Sequence, residues 1–225
     1  MKIVVLVSGG IDSTVLAFAL ASKPKIEEIQ PVYVSFRGSG GKEAIEISVA
    51  RELLIHPKIK PLHILKGKQF HIDKESYDTR NVQLLKFGEW CAESLSYDSV
   101  ALGTSGGYNF FDRGNMPDEE NIYEYLQQQV KIKLFTLDSF DCKNKVDVIN
   151  LGKPFFGDNI FKTYSCQLWH KVPCGHCYSD VERHLSLLFA YGYDNTVYRL
   201  TPETSKQNYN YFKEKFEQLG YKVGN

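Results

Sequence analysis

Two groups of residues in this chain have types and spacings suited to chemistry. The first is Ser8-Gly9-Gly10-Ile11-Asp12-Ser13-Thr14. Where a glycine turn opens a helix, its free backbone N–H groups and the helix N-terminus together form a pocket for an anion, most often phosphate. The glycines let the backbone approach the ligand, and the hydroxyls of Ser8, Ser13 and Thr14 add donors. No Gly-Lys-Ser/Thr follows, which separates this turn from the ordinary mononucleotide loop. The plainer alternative is a tight turn in which Asp12 or Ser13 only caps a helix. The second group is Cys166, Cys174 and Cys177, three thiols within twelve positions. Cys174-Gly175-His176-Cys177 is a knuckle, two thiolates two residues apart with a glycine between. A structural zinc (Zn2+) takes four ligands. The spacing offers Asp180 as the fourth, with His170, His176 and His184 as competitors. Free thiols, or a catalytic thiol pair, are the other readings of the same cysteines.

The elements that must position these groups follow a strand-helix alternation. Lys2–Val7 is a β-branched apolar run, and Val15–Ala21 has helical composition. Residues 29–36 read as a second strand, broken by Gly38, Gly40 and Gly41, and 42–55 return to helical spacing. A third strand is expected over 61–65, a helix over 82–95 and a fourth strand over 99–103. A helix is expected to start at Pro117-Asp118-Glu119-Glu120, and a fifth strand over 133–137. A short helix is then expected, capped by Asn144 and ended by Gly152. This order predicts an α/β fold, a Rossmann-like parallel sheet with helices on both faces. We divide it into a nucleotide-binding domain over 1–162 and a Cys-rich zinc module with a helical segment over 163–225. Ligands in such sheets bind beyond the carboxyl ends of the strands, where Ser8–Thr14 and Gly103–Asn109 both emerge. The long loop after the fourth strand carries Asp112 and Asp118, each able to hold a magnesium ion, pair with a base, or serve as turn residue and helix cap. Lys145 sits in the first turn of its helix, where a cation is unfavourable unless an anion faces it.

Composition narrows the function classes. The 225 residues can bury one large core, and 27 basic residues balance 27 acidic ones. Zero net charge argues against a nucleic-acid partner gripped along its backbone. No run reaches the ~18 apolar residues of a membrane span, and no export signal precedes the first strand, so a cytoplasmic protein without a membrane partner is expected. Five cysteines, an odd number of which three crowd together, suggest metal before disulfide in such a chain.

Ser-Gly-Gly-x-Asp-Ser at the end of a first strand resembles the signature of the PP-loop ATP pyrophosphatases. With the segments that follow, the chain resembles one branch of them, the 7-cyano-7-deazaguanine synthases, from Lys2 to Tyr198. The similar segments are Ser8–Ser13, Arg80-Asn81, Asn109 with Asp112 and Met116-Pro117-Asp118, Asn144-Lys145 through Gly152, Thr163-Tyr164-Ser165-Cys166, and Cys174–Cys177 with Glu182-Arg183. The resemblance implies ATP-dependent conversion of 7-carboxy-7-deazaguanine and ammonia to a nitrile, through adenylated carboxylate and amide intermediates. It implies catalytic work for Ser8, Asp12, Ser13 and Lys145, and ATP held by Ser8 to Thr14 and Gly103. It places the deazapurine near Arg80, Asn109, Asp112 and Asp118, with magnesium (Mg2+) on the phosphates. It further implies a structural zinc on Cys166, Cys174, Cys177 and Asp180, and a homodimer.

The chain departs from that family at Asp180, which replaces a cysteine, and at Met116, which replaces a tyrosine. It departs also at Glu119 and Glu120, where the family has a small residue or cysteine followed by arginine. The second-strand motif Tyr-Gly-Gln-Arg has become Ser35-Phe36-Arg37-Gly38. The ATP half is kept more faithfully than the substrate half. Alternatives are therefore a related amide ligase with ammonia or a protein amine as acceptor, a tRNA sulfur-transfer enzyme, and a non-catalytic nucleotide-binding protein.

Overall fold

Along the first strand the residues Ile3 and Val5 alternate with Val4 and Leu6, and all four are buried, so this strand lies inside a sheet covered on both faces. The computed structural model describes residues 1–36, 41–67, 77–104, 122–168 and 171–222. Its strands are β1 (Lys2–Leu6), β2 (Glu28–Phe36), β3 (His63–Gly67), β4 (Ser99–Leu102) and β5 (Lys133–Phe135). They form one parallel sheet in the order β3-β2-β1-β4-β5. Val4 pairs with Gln30 on one side and Val100 on the other. The order reverses at the β1–β4 boundary, and the loop after β1 leaves there, as expected for a ligand site in an open parallel sheet.

The helices are α1 (Ile11–Ala21), α2 (Gly41–Leu53), α3 (Tyr77–Leu95), α4 (Ile122–Gln128), α5 (Lys145–Phe156), α6 (Tyr178–Tyr191) and α7 (Lys206–Gln218). Ile3, Val5, Ile29 and Ala101 pack with Val15 and Leu16 of α1 and with Val148 and Ile149 of α5. On the opposite face Val4, Leu6, Val100 and Leu134 meet Leu85 and Ala92 of α3 and Leu126 of α4. A third cluster, Val146, Val181, Leu185, Phe212 and Phe216, packs α5, α6 and α7 together. Of residues 199–225, which read as a helix packed on the body, 206–218 form that helix. No helix among the described residues is long and apolar enough to cross a membrane.

Several boundaries differ from the expected ones. α1 begins at Ile11, so half of the glycine turn already belongs to the helix. β3 runs two residues later than expected, α3 begins at Tyr77 and β5 stops at Phe135. α5 continues through Gly152 and Pro154 to Phe156. Gly152 is no terminator: a Cβ there would lie 2.6 Å from Val15 Cγ2, so the missing side chain lets α5 approach α1. Gly38, Gly40 and the expected helix start at 117–120 lie outside the described residues.

Candidate functional site

The glycine loop is shaped by contacts from three directions. Gly9 has φ +69°, and a Cβ on it would lie 2.6 Å from the Glu46 carbonyl oxygen of α2, so geometry and space both require glycine. Gly103, just past β4, approaches from the other side: a Cβ there would lie 2.6 Å from the Ser13 nitrogen. The third contact is Tyr164 N–H, which donates to the Gly9 carbonyl at 3.0 Å. Within the loop, Ser8 N–H donates to Ser13 Oγ at 3.1 Å, and the two hydroxyls lie 3.4 Å apart. The first N–H groups of α1 have no intrahelical acceptor and point out of its end. Thr14 Oγ1, fully enclosed in the first turn, has no hydrogen-bond partner among the described residues.

A buried lysine stands at the head of this helix. Asn144 caps α5 through its side-chain oxygen, which accepts from Val146 N at 2.9 Å and Asp147 N at 3.1 Å. The cap sets the first turn and delivers Lys145 to Asp12, with Nζ 3.0 Å from Oδ2, and to Glu182 of α6, 3.5 Å away. Burial alone would push the Lys145 ammonium down, but the carboxylates of Asp12 and Glu182 outweigh it and raise its pKa above the ordinary lysine value. The lysine is therefore a fixed positive charge at the loop, facing the anions that its position in a first turn demands.

The cysteine cluster assembles beside them. The ligand atoms of Cys166, Cys174, Cys177 and Asp180 lie within 4.8 Å of one another, and all four residues are buried. Tetrahedral zinc with ligand distances of about 2.0–2.3 Å would gather such a set through small side-chain shifts. Cys174 Sγ accepts N–H groups from His176 at 3.4 Å and Cys177 at 3.2 Å, the arrangement of a metal-binding knuckle. Asp180 has one oxygen held by Ser165 Oγ at 3.1 Å and the other by Gly175 N–H at 3.1 Å, 3.3 Å from Cys174 Sγ. These residues could hold a metal ion. Burial pushes the Cys174 and Cys177 thiols up, so without a cation they are poor nucleophiles.

No family model matches the chain. A 7-cyano-7-deazaguanine synthase from Sulfurihydrogenibium sp. (strain YO3AOP1) is 26% identical over 216 aligned positions, covering 83% of this chain and 94% of that protein. A 7-cyano-7-deazaguanine synthase from Ruegeria sp. (strain TM1040) is 25% identical over 226 positions, covering 88% and 93%. The chain is a divergent relative of these synthases. Among solved structures, a 4-thiouridine synthetase in complex with RNA and bound ATP superposes with a TM-score of 0.51 at 17% identity. That match covers 96% of this chain but only about half, 52%, of the other, and at such identity the likeness concerns the fold.

Of the residues singled out from the sequence, Ser8, Gly9, Gly10, Ile11, Asp12, Ser13, Thr14, Gly103 and Lys145 come together at one end of α1. Cys166, Cys174, Cys177 and Asp180 form the second group, in which Asp180 and not His176 or His184 completes the set. Arg80 is exposed on α3, near enough for its charge to act on Tyr33 of β2. Asn109, Asp112, Asp118, Glu119, Glu120 and His170 lie outside the described residues. Two residues were missed. Glu182 had a signal, the Glu182-Arg183 pair after the knuckle; Glu46 had none, because its contact with Gly9 is made by backbone.

His184 and Arg183 serve another purpose. His184 Nδ1 lies 2.8 Å from Asp194 Oδ2 and Nε2 lies 3.2 Å from Glu203 Oε1. Arg183 donates to Thr196 Oγ1 at 2.6 Å, Tyr198 OH at 2.9 Å and the Phe161 carbonyl at 2.9 Å. Burial pushes the Asp194 carboxyl up, but the bond from His184, the Arg183 charge and Thr196 outweigh it and hold its pKa below the ordinary aspartate value. A carboxyl lowered on folding adds stability that is present above its unfolded pKa of about 3.9 and is lost as pH falls through the folded value. Asp194→Asn is thus expected to lower the melting temperature at neutral pH and to flatten its decline as pH falls below about 4. Calorimetric scans of both proteins across that range check this, and parallel curves would contradict it.

Proposed function

We propose that this chain is an ATP-dependent enzyme that joins nitrogen to the carboxylate of 7-carboxy-7-deazaguanine and carries the product to the nitrile. The observation that carries the reading is the meeting of the glycine loop, Asp12, Lys145 and Glu182 at the β1–β4 crossover, in a divergent relative of 7-cyano-7-deazaguanine synthases. ATP supplies an adenylyl group that converts the carboxylate oxygen, and later the amide oxygen, into a leaving group, with pyrophosphate released each time. The N–H groups at Gly9 and Gly10, with Ser8 and Ser13, hold the phosphates at the positive end of α1. Lys145 neutralises charge that builds on the departing pyrophosphate, in a site fixed before the reaction begins. Asp12 would hold a magnesium ion, whose charge would help neutralise the phosphates. Arg80, Asn109, Asp112 and Asp118 are assigned to the deazapurine, and Gly103 to the nucleotide by its tight approach to Ser13.

Cys166, Cys174, Cys177 and Asp180 would hold a structural zinc, whose charge would stabilise the three thiolates. In this reading residues 163–225 form a module built around that site on the 1–162 nucleotide domain, in a cytoplasmic homodimer.

The decisive experiment is mass spectrometry of the product after incubation with ATP, ammonium and 7-carboxy-7-deazaguanine. A nitrile with two pyrophosphates released per product is expected. An amide as the final product would replace the nitrile assignment by an amide ligase, and pyrophosphate release only in the presence of tRNA and a sulfur donor would overturn it.

A further inference from the structure

The geometry points to Glu182 as the residue that positions Lys145 for the phosphates, an assignment that rests on the function proposed above. Glu182 lies in the first turns of α6, two residues after Asp180. Asp180 turns to Cys174 Sγ at 3.3 Å, whereas Glu182 turns to Lys145 Nζ at 3.5 Å. One helix start therefore carries both a metal-site carboxylate and the second anion on the lysine. The Lys145 and Glu182 side chains are only 9% and 10% exposed, against 25% for Asp12. The lysine is thus gripped between a partner on α1 and a more deeply buried one on α6. Its four-carbon stem is flexible, and an ammonium is a compact charge that goes where the nearest anion draws it. Asp12, already 3.0 Å from that charge, draws it toward the loop's own carboxylate. With Glu182 on the other side it is held between the two, ordered before a phosphate arrives.

The sign of one measurement separates this role from simple electrostatics. Removing the Glu182 charge makes the site more positive, which by itself strengthens anion binding. Loss of positioning weakens it. Isothermal titration calorimetry with inorganic pyrophosphate and magnesium, on the full chain, reads the difference in wild type, Glu182→Gln, Lys145→Gln and the double variant. Glu182→Gln is expected to weaken binding about tenfold when Lys145 is present and to change it by less than about twofold in the Lys145→Gln background. Unchanged or tighter binding in Glu182→Gln, or an equal loss in both backgrounds, overturns the assignment. Glu182→Asp keeps the charge on a shorter stem, so if the glutamine variant does not fold, weaker pyrophosphate binding there supports positioning and unchanged binding overturns it, with melting temperature as the fold control. A wild type that binds pyrophosphate but forms no product from the carboxylate sinks the proposed reaction and leaves Glu182 standing. One that binds no pyrophosphate overturns both.

Discussion

Replacing Lys145 with alanine is expected to reduce pyrophosphate release about 10²–10³-fold, the effect of removing one preorganised charge from a developing anion. The change does more than delete a contact. It leaves Asp12 and Glu182 without the ammonium that now lies 3.0 and 3.5 Å from them, at the point where the proposed reaction would place further negative charge. Breaking a buried ion pair by removing one partner typically costs about 3–5 kcal/mol. The cost here should fall below that range, because Asp12 is a quarter exposed and solvent screens it. A fall in rate that exceeds any fall in stability would identify a role in the reaction. Lys145→Arg sharpens the test: it keeps the charge but puts a broader, planar guanidinium in place of a compact ammonium on a side chain only 9% exposed, so little recovery is expected. Initial rates at saturating ATP, with melting temperatures alongside, give the comparison. A rate for Lys145→Ala within tenfold of wild type would remove the lysine from the assignment.

The second large effect is expected at Cys174. Its sulfur accepts from two backbone N–H groups and faces Asp180, so it sits at the centre of the cluster. Cys174→Ala should reduce bound zinc from about one ion per chain to a small fraction and lower the melting temperature by on the order of 10 °C. The consequence should reach the glycine loop. Cys166 follows Tyr164 by two residues, and Tyr164 packs in the cysteine cluster while its N–H holds the Gly9 carbonyl. Metal analysis by mass spectrometry and thermal scans check this together. Wild-type protein that contains no zinc, and a variant that melts with it, would leave the cysteines as ordinary buried thiols.

Much of the site was legible because its pieces are local. Ser8 to Thr14 announce a glycine turn opening a helix through residue type and order alone, and Cys174-Gly175-His176-Cys177 is a knuckle by spacing. Asn144 reads correctly as a cap because capping is a matter of two or three residues. Gly152 was misread for the same reason. Local rules treat glycine as a terminator, whereas this one is needed where α5 crosses Val15 of α1, 137 positions earlier in the chain. Lys145 posed a question that local rules could state but not answer: a cation in a first turn needs an anion. The structure supplies two carboxylates, Asp12 and Glu182, before any phosphate is considered.

Amino-acid order determined the alternation of strands and helices, the parallel sheet, the glycine turn that opens α1 and the set of thiols, since each depends on backbone propensity, hydrophobic period or short spacing. Tertiary structure decided which of these meet. The order β3-β2-β1-β4-β5 puts the loop after β1 against Gly103 after β4, and packing of α1, α5 and α6 brings residues 12, 145 and 182 to one point. Such meetings are set by the volumes and charges that close a core across the whole chain, and no periodicity within a segment encodes them.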